Sequence, residues 1–374
     1  MEWHVWDFPD NIRVYFKDEF REWLFKRLKE ICGSRTEIGR KLKVSTTTIR
    51  SYFQTGHDSD NLRTYVPVRI IKKIIKLFSS NFDGNFLQEL EKNIIAYRCR
   101  AGWPVYDPIL PIKESPKLYS IVCHMVGDGS AGKGKTPYYA NTCAELRREF
   151  IKNLQIFGKV EVNVYLAKTG VTYIMFPKAI TDVLSHIFNV RFTYPNTLPL
   201  RLFITTDDCK RASIRAMFDD EGTVSTVFAI DQRSKRIIVQ LKNLLEILKI
   251  KTGEVIEAKN GMYSIVVYSE SFQEYKNSIG FTHIKKQRKL NKKVTEKKYR
   301  SLYKPLKIRI YELLLSSHPL TRIEVADNLN SKYPMTKLQL YRLKNEGKVF
   351  SKFNGKNQYY LWYPTNSNVL FHNK

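Results

Sequence analysis

Cysteine is scarce and scattered: the 374 residues hold five, Cys32, Cys99, Cys123, Cys143 and Cys209, none in a C-x-x-C pair. Neither a structural zinc site nor a disulfide framework is therefore expected. Long apolar runs are also missing. No stretch approaches the ~18 residues that a membrane span requires, and Met1-Glu2-Trp3-His4 does not open like a secretory signal. The expectation is a cytoplasmic, nucleoid-associated or otherwise intracellular protein with no membrane partner. Acid is the third shortage. Only 36 Asp and Glu face 63 Lys and Arg, a formal net charge of +27, which calls for a polyanionic partner such as nucleic acid. Hydrophobic residues make up 43% of the chain, enough for folded domains of ordinary composition, and at ~150 residues per domain there is room for several.

The chain divides into segments of different pattern. From Tyr15 to Gly33, Phe16, Phe20, Leu24 and Leu28 recur at helical spacing. Thr36 to Gly56 reads as two short helices around a Lys43-Val44-Ser45 turn, with Ser45 placed to cap the second. This pattern resembles the helix-turn-helix of phage-repressor-like DNA-binding domains, with Gly39 where the helices touch and Val44 and Ile49 facing the core. Thr46, Thr47, Thr48 and Arg50 would then lie on a recognition helix. Helices over 67–79 and 86–97 complete an all-α unit spanning 1–101. Residues 102–114, with three prolines between Pro104 and Pro111, read as an extended linker.

At the other end, twelve Lys or Arg stand against one acid, Glu296, between Lys285 and Arg309, a run suited to phosphates. Residues 291–305 are expected to be a basic linker. Helices over 307–316, 322–329 and 336–346 precede a hairpin turning at Asn354-Gly355. Three helices and a terminal hairpin over 306–374 resemble a winged helix, whose third helix offers Lys337 and Arg342 to DNA.

The middle of the chain repeats itself. Ile121-Val122-Cys123-His124-Met125-Val126-Gly127-Asp128-Gly129 pairs with Ile214-Arg215-Ala216-Met217-Phe218-Asp219-Asp220-Glu221-Gly222 at an offset of 93, and Ala167–Ile174 pairs with Ala258–Ile265 at 91. Each copy, 115–205 and 206–290, begins with a capped helix: Ser115 before Pro116, and Thr206 before Asp207 and Asp208. Each helix ends in an acid followed by glycine. A strand, a helix, a hairpin and a closing helix follow in both.

These residues resemble the paired LAGLIDADG motifs of single-chain homing endonucleases. The resemblance implies an α+β fold in which two pseudo-symmetric repeats form a saddle over double-stranded DNA, working as a monomer and leaving 3′ overhangs. It implies that Cys123, Gly127 and Ala216 let the two motif helices approach, and that Asp220 falls where a small residue is usual. It implies that Asp128 and Glu221 hold Mg²⁺, with Mn²⁺ a possible substitute, against the scissile phosphates, and that Lys286, with Lys285 next to it, assists catalysis. Lys133, Lys135 and Tyr139 in the first repeat, with Thr226 and Arg233 in the second, are the expected groove contacts, and Lys168 and Lys259 the phosphate contacts at the hairpin turns. The expected activity is therefore that of a metal-dependent, site-specific DNA endonuclease. A domesticated, non-cleaving transcriptional regulator on the same fold is the alternative, since known regulators join this fold to helix-turn-helix modules.

Two other readings are weaker. Gly129 to Thr136 satisfies G-x4-G-K-T, yet such a phosphate loop must follow a buried strand and open a helix, whereas this one follows a helix and precedes an extended Pro137-Tyr138-Tyr139. An intein needs a nucleophilic first residue and a terminal Asn before Cys, Ser or Thr, and the chain has Met1 and His372-Asn373-Lys374.

Overall fold

The computed structural model describes residues 1–374 apart from 54–63, 80–84, 133–134, 259–260, 303–304, 318, 356–358 and 366–374, with the backbone alone at 79 and 297–302. Contacts divide the chain into two compact units, Met1–Asn291 and Lys292–Lys374. Helices and antiparallel sheets are both plentiful in it, an α+β architecture. Among the described residues no helix is long and apolar enough to cross a membrane.

The centre of the first unit carries the repeat. The first motif helix, Pro116–Gly127, starts where the Ser115 hydroxyl accepts from the Leu118 amide; the second, Asp207–Asp220, starts where Thr206 does the same for Cys209. After each comes a four-stranded antiparallel sheet of the same order. The first runs Gly129–Ser130, Tyr138–Asn141, Thr172–Met175, Asn163–Leu166, and the second Gly222–Val224, Phe228–Gln232, Tyr263–Val266, Ile256–Glu257. One face of each sheet is closed by helices. Tyr139 and Ile174 point inward from the first, Phe228, Ile230 and Ile265 from the second, and all five are fully buried. Helices Ala144–Leu154 and Lys178–Phe188 serve the first repeat, and Lys235–Ile247 and Phe272–Ser278 the second.

The N-terminal region departs from the expected all-α unit. Strands Arg13–Phe16, Val66–Pro67, Ile94–Arg98 and Val105–Tyr106 form a four-stranded antiparallel sheet. Its central pair joins Val14 to Tyr97 and Tyr15 to Ala96. The helix expected over 86–97 ends at Lys92, and the stretch read as a linker supplies one strand to this sheet and another, Ile112–Lys113, to a pair with Glu2–Trp3. Each run is only two to five residues long, and apart from the pairing of Val105–Tyr106 with Ile94–Arg98 the partners lie more than 50 residues apart in sequence. Against that background the helix pair Arg35–Leu42 and Thr46–Phe53 stands as read. Lys43 takes the left-handed conformation at φ 58°, and the Ser45 hydroxyl accepts from the Thr48 amide at 3.1 Å. A Cβ on Gly39 would come within 2.8 Å of the Val44 carbonyl oxygen, which explains why glycine stands there. Thr46, Thr47 and Arg50 are exposed.

In the second unit, helices Leu306–Ser316, Arg322–Asn328 and Tyr333–Asn345 pack with a three-stranded sheet, Leu320–Thr321, Tyr359–Pro364, Val349–Asn354. Ile310, Leu314, Val325, Leu340, Leu343, Val349 and Trp362 make its core. Thr321 and Glu324 form a reciprocal capping box at the start of the middle helix. Lys337 and Arg342 are exposed on the third helix. The basic stretch read as a linker is helical as far as Leu302, within Ile284–Leu302, because its charged residues are good helix formers and no glycine or proline interrupts them.

Candidate functional site

The two motif helices pack against each other, and they meet closely at their C-terminal ends. A Cβ on Gly127 would lie 2.8 Å from Asp220 Oδ2 and 2.9 Å from Asp220 Cβ. Absence of a side chain at Gly127 is what makes room for Asp220, whose carboxylate is wholly buried. That carboxylate is held by the first repeat. His124 Nδ1 lies 2.9 Å from Oδ2, and Tyr139 Oη donates to Oδ1 at 2.8 Å. A buried charge needs such partners. So the residue standing where a small one is usual serves as a polar lock between the repeats.

Asp128 and Glu221 follow at the helix ends. Each is succeeded by a glycine that no other residue could replace without movement: a Cβ on Gly129 would lie 2.5 Å from Met125 Cα, and one on Gly222 2.5 Å from the Phe218 carbonyl oxygen. The chain folds straight back over the last helical turn, which turns the acids toward the sheets. There each acid meets an amide. Asn141 Nδ2 donates to Asp128 Oδ2 at 2.8 Å and Gln232 Nε2 to Glu221 Oε1 at 3.1 Å. Asn141 and Gln232 end corresponding strands of the two sheets and were not singled out from the sequence. Their signal lay in the repeat, since each sits at a similar distance behind its motif acid, at an offset of 91 from the other.

Burial and mutual repulsion dominate the electrostatics. Burial, reinforced by the charges of Asp220 and Glu221, pushes the Asp128 carboxyl up to about 7. Burial and Asp220 push Glu221 up to about 7, opposed by Lys286. Asp219 is buried too and pushed up to about 6, while accepting from the backbone amides of Thr282 at 3.1 Å and His283 at 3.0 Å. It anchors the segment after the second closing helix. His124 is held above its usual range because Asp220 and Asp219 outweigh its burial.

Lys286 takes an unexpected post. Its ammonium donates to the carbonyls of Phe218 at 3.0 Å, Asp219 at 2.5 Å and Asp220 at 3.3 Å, capping the second motif helix where the dipole favours a cation. Burial draws its pKa below the usual lysine range, against the pull of the surrounding acids. Lys286→Met is expected to lower unfolding stability by about 1–2 kcal/mol, read as a shift in denaturant midpoint; an unchanged midpoint would contradict the capping role.

A cavity of about 540 Å³ opens beside this cluster, with Asp128, Asp219, Asp220, Asn141, His283 and Lys286 among its walls; Glu221 is not one of them. Tyr138 and Tyr173, on the open face of the first sheet with ring centroids 5.1 Å apart, also line it. Tyr139 does not face outward. It is fully buried and spends its hydroxyl on Asp220, so the groove contact expected of it is corrected: the neighbouring Tyr138 occupies the open face. Lys135, Lys168, Thr226, Arg233 and Lys285 are exposed. Lys133 and Lys259 lie outside the described residues.

The raised pKa values make stability depend on pH. A carboxyl that titrates higher when folded than when unfolded binds its proton more tightly in the native state, so stability falls as pH rises from the unfolded value, near 4, through the folded value. For Asp128 and Glu221 that window reaches about 7. His124 acts in the same direction, since the stability from its raised pKa is present below about 6.5 and is lost as pH climbs through its folded value. In metal-free buffer the melting temperature is therefore expected to drop between pH 5.5 and pH 8 by several degrees, as a loss of ~2 kcal/mol would produce. A rise over that interval would contradict these assignments.

Residues 208–280, which make up most of the second repeat, match the family model described as a LAGLIDADG-like domain. Over that stretch the chain is similar to this family. Among solved structures, it is similar to the homing endonuclease I-DmoI in complex with DNA and Mn, at 12% identity over 44% of this chain and 96% of that one, with a TM-score of 0.35. It is also similar to full-length DUF199/WhiA from Thermatoga maritima, at 12% identity over 63% of this chain and 92% of that one, with a TM-score of 0.35. No curated protein matches it in sequence.

Proposed function

We propose that this protein is a site-specific DNA endonuclease of the LAGLIDADG homing type, hydrolysing phosphodiesters with Mg²⁺ and leaving a staggered double-strand break. The observation that carries this reading is the pair Asp128 and Glu221, each ending one of two tightly paired helices and each held by the strand-end amide of its own repeat. The match of residues 208–280 to a LAGLIDADG-like domain and the charge of +27 support it.

The donor set fits a hard divalent cation. Among the described residues no group of three or more His, Cys, Asp or Glu forms a complete metal cage, but Mg²⁺ usually takes one or two carboxylates and fills its shell with phosphate oxygens and water. Asp128 and Glu221 would hold it, and their pKa values, raised by burial and then by neighbouring negative charge, mark carboxylates that a cation would stabilise. When bound, the ion would supply charge neutralisation at the phosphate and a more acidic water. Asn141 and Gln232 fix the carboxylates in place, and the Asp220 lock keeps the helix ends together. Lys286, on the cavity wall, brings positive charge to the same corner.

DNA would be met by Lys135, Lys168, Thr226 and Arg233, in the turns and bends that flank the strands, and by Lys285, with Thr46, Thr47 and Arg50 and, in the second unit, Lys337 and Arg342 as further contacts. A monomer suffices, because both repeats lie in one chain. One observation favours the non-cleaving regulator instead: the Lys286 ammonium is occupied by three helix carbonyls. Incubating a randomised duplex library with the protein in Mg²⁺ and sequencing the ends separates the two. Discrete paired cuts establish the nuclease, whereas specific binding without ends in Mg²⁺ or Mn²⁺ establishes the regulator.

A further inference from the structure

A second cavity, of about 460 Å³, lies where the two repeats meet, away from the acids. Lys117 and Ser120 reach it from the first motif helix, Arg148, Lys152 and Asn153 from the helix Ala144–Leu154, and Arg215 from the second motif helix. Ser120 stands eight residues before Asp128, roughly 12 Å back along the helix. The cavity is thus separate from the acid cluster.

Its walls carry polarity that the fold itself does not use. Ser120 and Asn153 are only 6% and 5% exposed, and among the described residues neither side chain has a hydrogen-bond partner. Neither is among the fully buried polar atoms left without a partner, so the hydroxyl and the amide open onto the solvent of the cavity. The internal symmetry sharpens the contrast. Ser213, which answers Ser120 at the offset of 93, donates to the Cys209 carbonyl at 2.8 Å. Leu244, which answers Asn153 at the offset of 91, is apolar and buried. At these paired positions the first repeat, unlike the second, has a hydroxyl and an amide without a partner among the described residues, and it has them beside four cations. Lys117 and Lys152 have no acidic partner among the described residues. Arg215 commits Nε to the Ile279 carbonyl at 2.6 Å, and Arg148 touches Glu145 at 3.4 Å. Glu149 is the one acid on the wall.

We propose that this cavity is a phosphate-binding site. A phosphate group offers several acceptor oxygens and two negative charges, which a hydroxyl, an amide NH₂ and converging cations recognise together. The volume lies in the range of small-molecule sites and exceeds what phosphate alone fills, so the group arrives on a larger body, a nucleotide or a stretch of nucleic-acid backbone. Because the walls come from both motif helices, occupancy ties one repeat to the other. The proposal is independent of cleavage and of any metal.

The test is calorimetric titration of the full chain in chloride buffer without divalent metal, using three probes: inorganic phosphate, ATP, and a short duplex of arbitrary sequence. Wild type is compared with Ser120→Ala/Asn153→Leu and with the isosteric Asn153→Asp, which keeps the side-chain shape and adds a repelling charge. Melting curves check the fold of each. One saturable site, weakened at least tenfold by Asn153→Asp while the melting curve is kept, is the expected result. The probe that loses affinity identifies the source, free nucleotide or nucleic-acid backbone. Affinity unchanged by Asn153→Asp, or no saturable binding to wild type by any probe, overturns the proposal.

Discussion

Cleavage by Asp128→Asn/Glu221→Gln is expected to fall at least ~1,000-fold below wild type, because removing both charges removes the means of holding a cation worth several kcal/mol at the transition state. DNA binding should persist. Its affinity should hold or rise, since two negative charges leave the proposed phosphate-facing site. Each single variant should lose most of the activity, as residues that act as a unit do not add. Single-turnover cleavage of a selected site, with a gel-shift titration of the same duplex, checks both halves. Loss of binding in step with cleavage would mean that the acids are needed for the fold rather than for chemistry. The wild-type rate should also climb with pH and level off above about 7, where Asp128 and Glu221 have lost their protons.

The second large effect concerns stability. Asp220→Ala is expected to cost about 3–5 kcal/mol at pH 6, because it breaks a buried pair by removing one partner and leaves the His124 ring and the Tyr139 hydroxyl without their shared acceptor. Gly127→Ala should cost roughly 1–3 kcal/mol or more by overpacking, since its Cβ would sit within 3 Å of Asp220 Oδ2 and Cβ. The two are coupled through one contact. In an Asp220→Gly background, which removes the opposing atoms, Gly127→Ala should become nearly free, and denaturant melts of the four corners of the cycle measure this. Equal costs in both backgrounds would show that the helices do not meet as described.

What the sequence revealed and what it hid follow from range. The repeat, the N-caps Ser115 and Thr206, and the acid-glycine helix ends are local patterns, and they place the motif helices without knowledge of any partner. The N-terminal sheet was hidden because its central strands, Arg13–Phe16 and Ile94–Arg98, are short and about 80 residues apart. The apolar residues of the former also blend into the helical stripe that follows. Tyr139 was misassigned for a different reason. In a strand, neighbours point to opposite faces, and with tyrosines at both 138 and 139 the composition gives no phase.

The acid cluster shows the same limit in three dimensions. Asp128 and Glu221 announce themselves through the repeat, but the role of Asp220 depends on a space left by Gly127 on another helix and on donors from His124 and Tyr139. No window of the sequence brings those four together. Lys286 was found by position after the closing helix, yet its helix-capping contacts required the coordinates.

The central claim is that Asp128 and Glu221 together form a divalent-cation site on DNA-bound protein. Titrating Mg²⁺ into the protein–duplex complex at pH 7, in two buffers of different ionisation enthalpy, tests it most directly. Both carboxyls titrate near that pH, so cation binding must expel protons. The expected result is saturable binding with proton release of a substantial fraction of one per complex, absent from Asp128→Asn/Glu221→Gln. Mg²⁺ binding without proton release, or release that survives in the double variant, would contradict it.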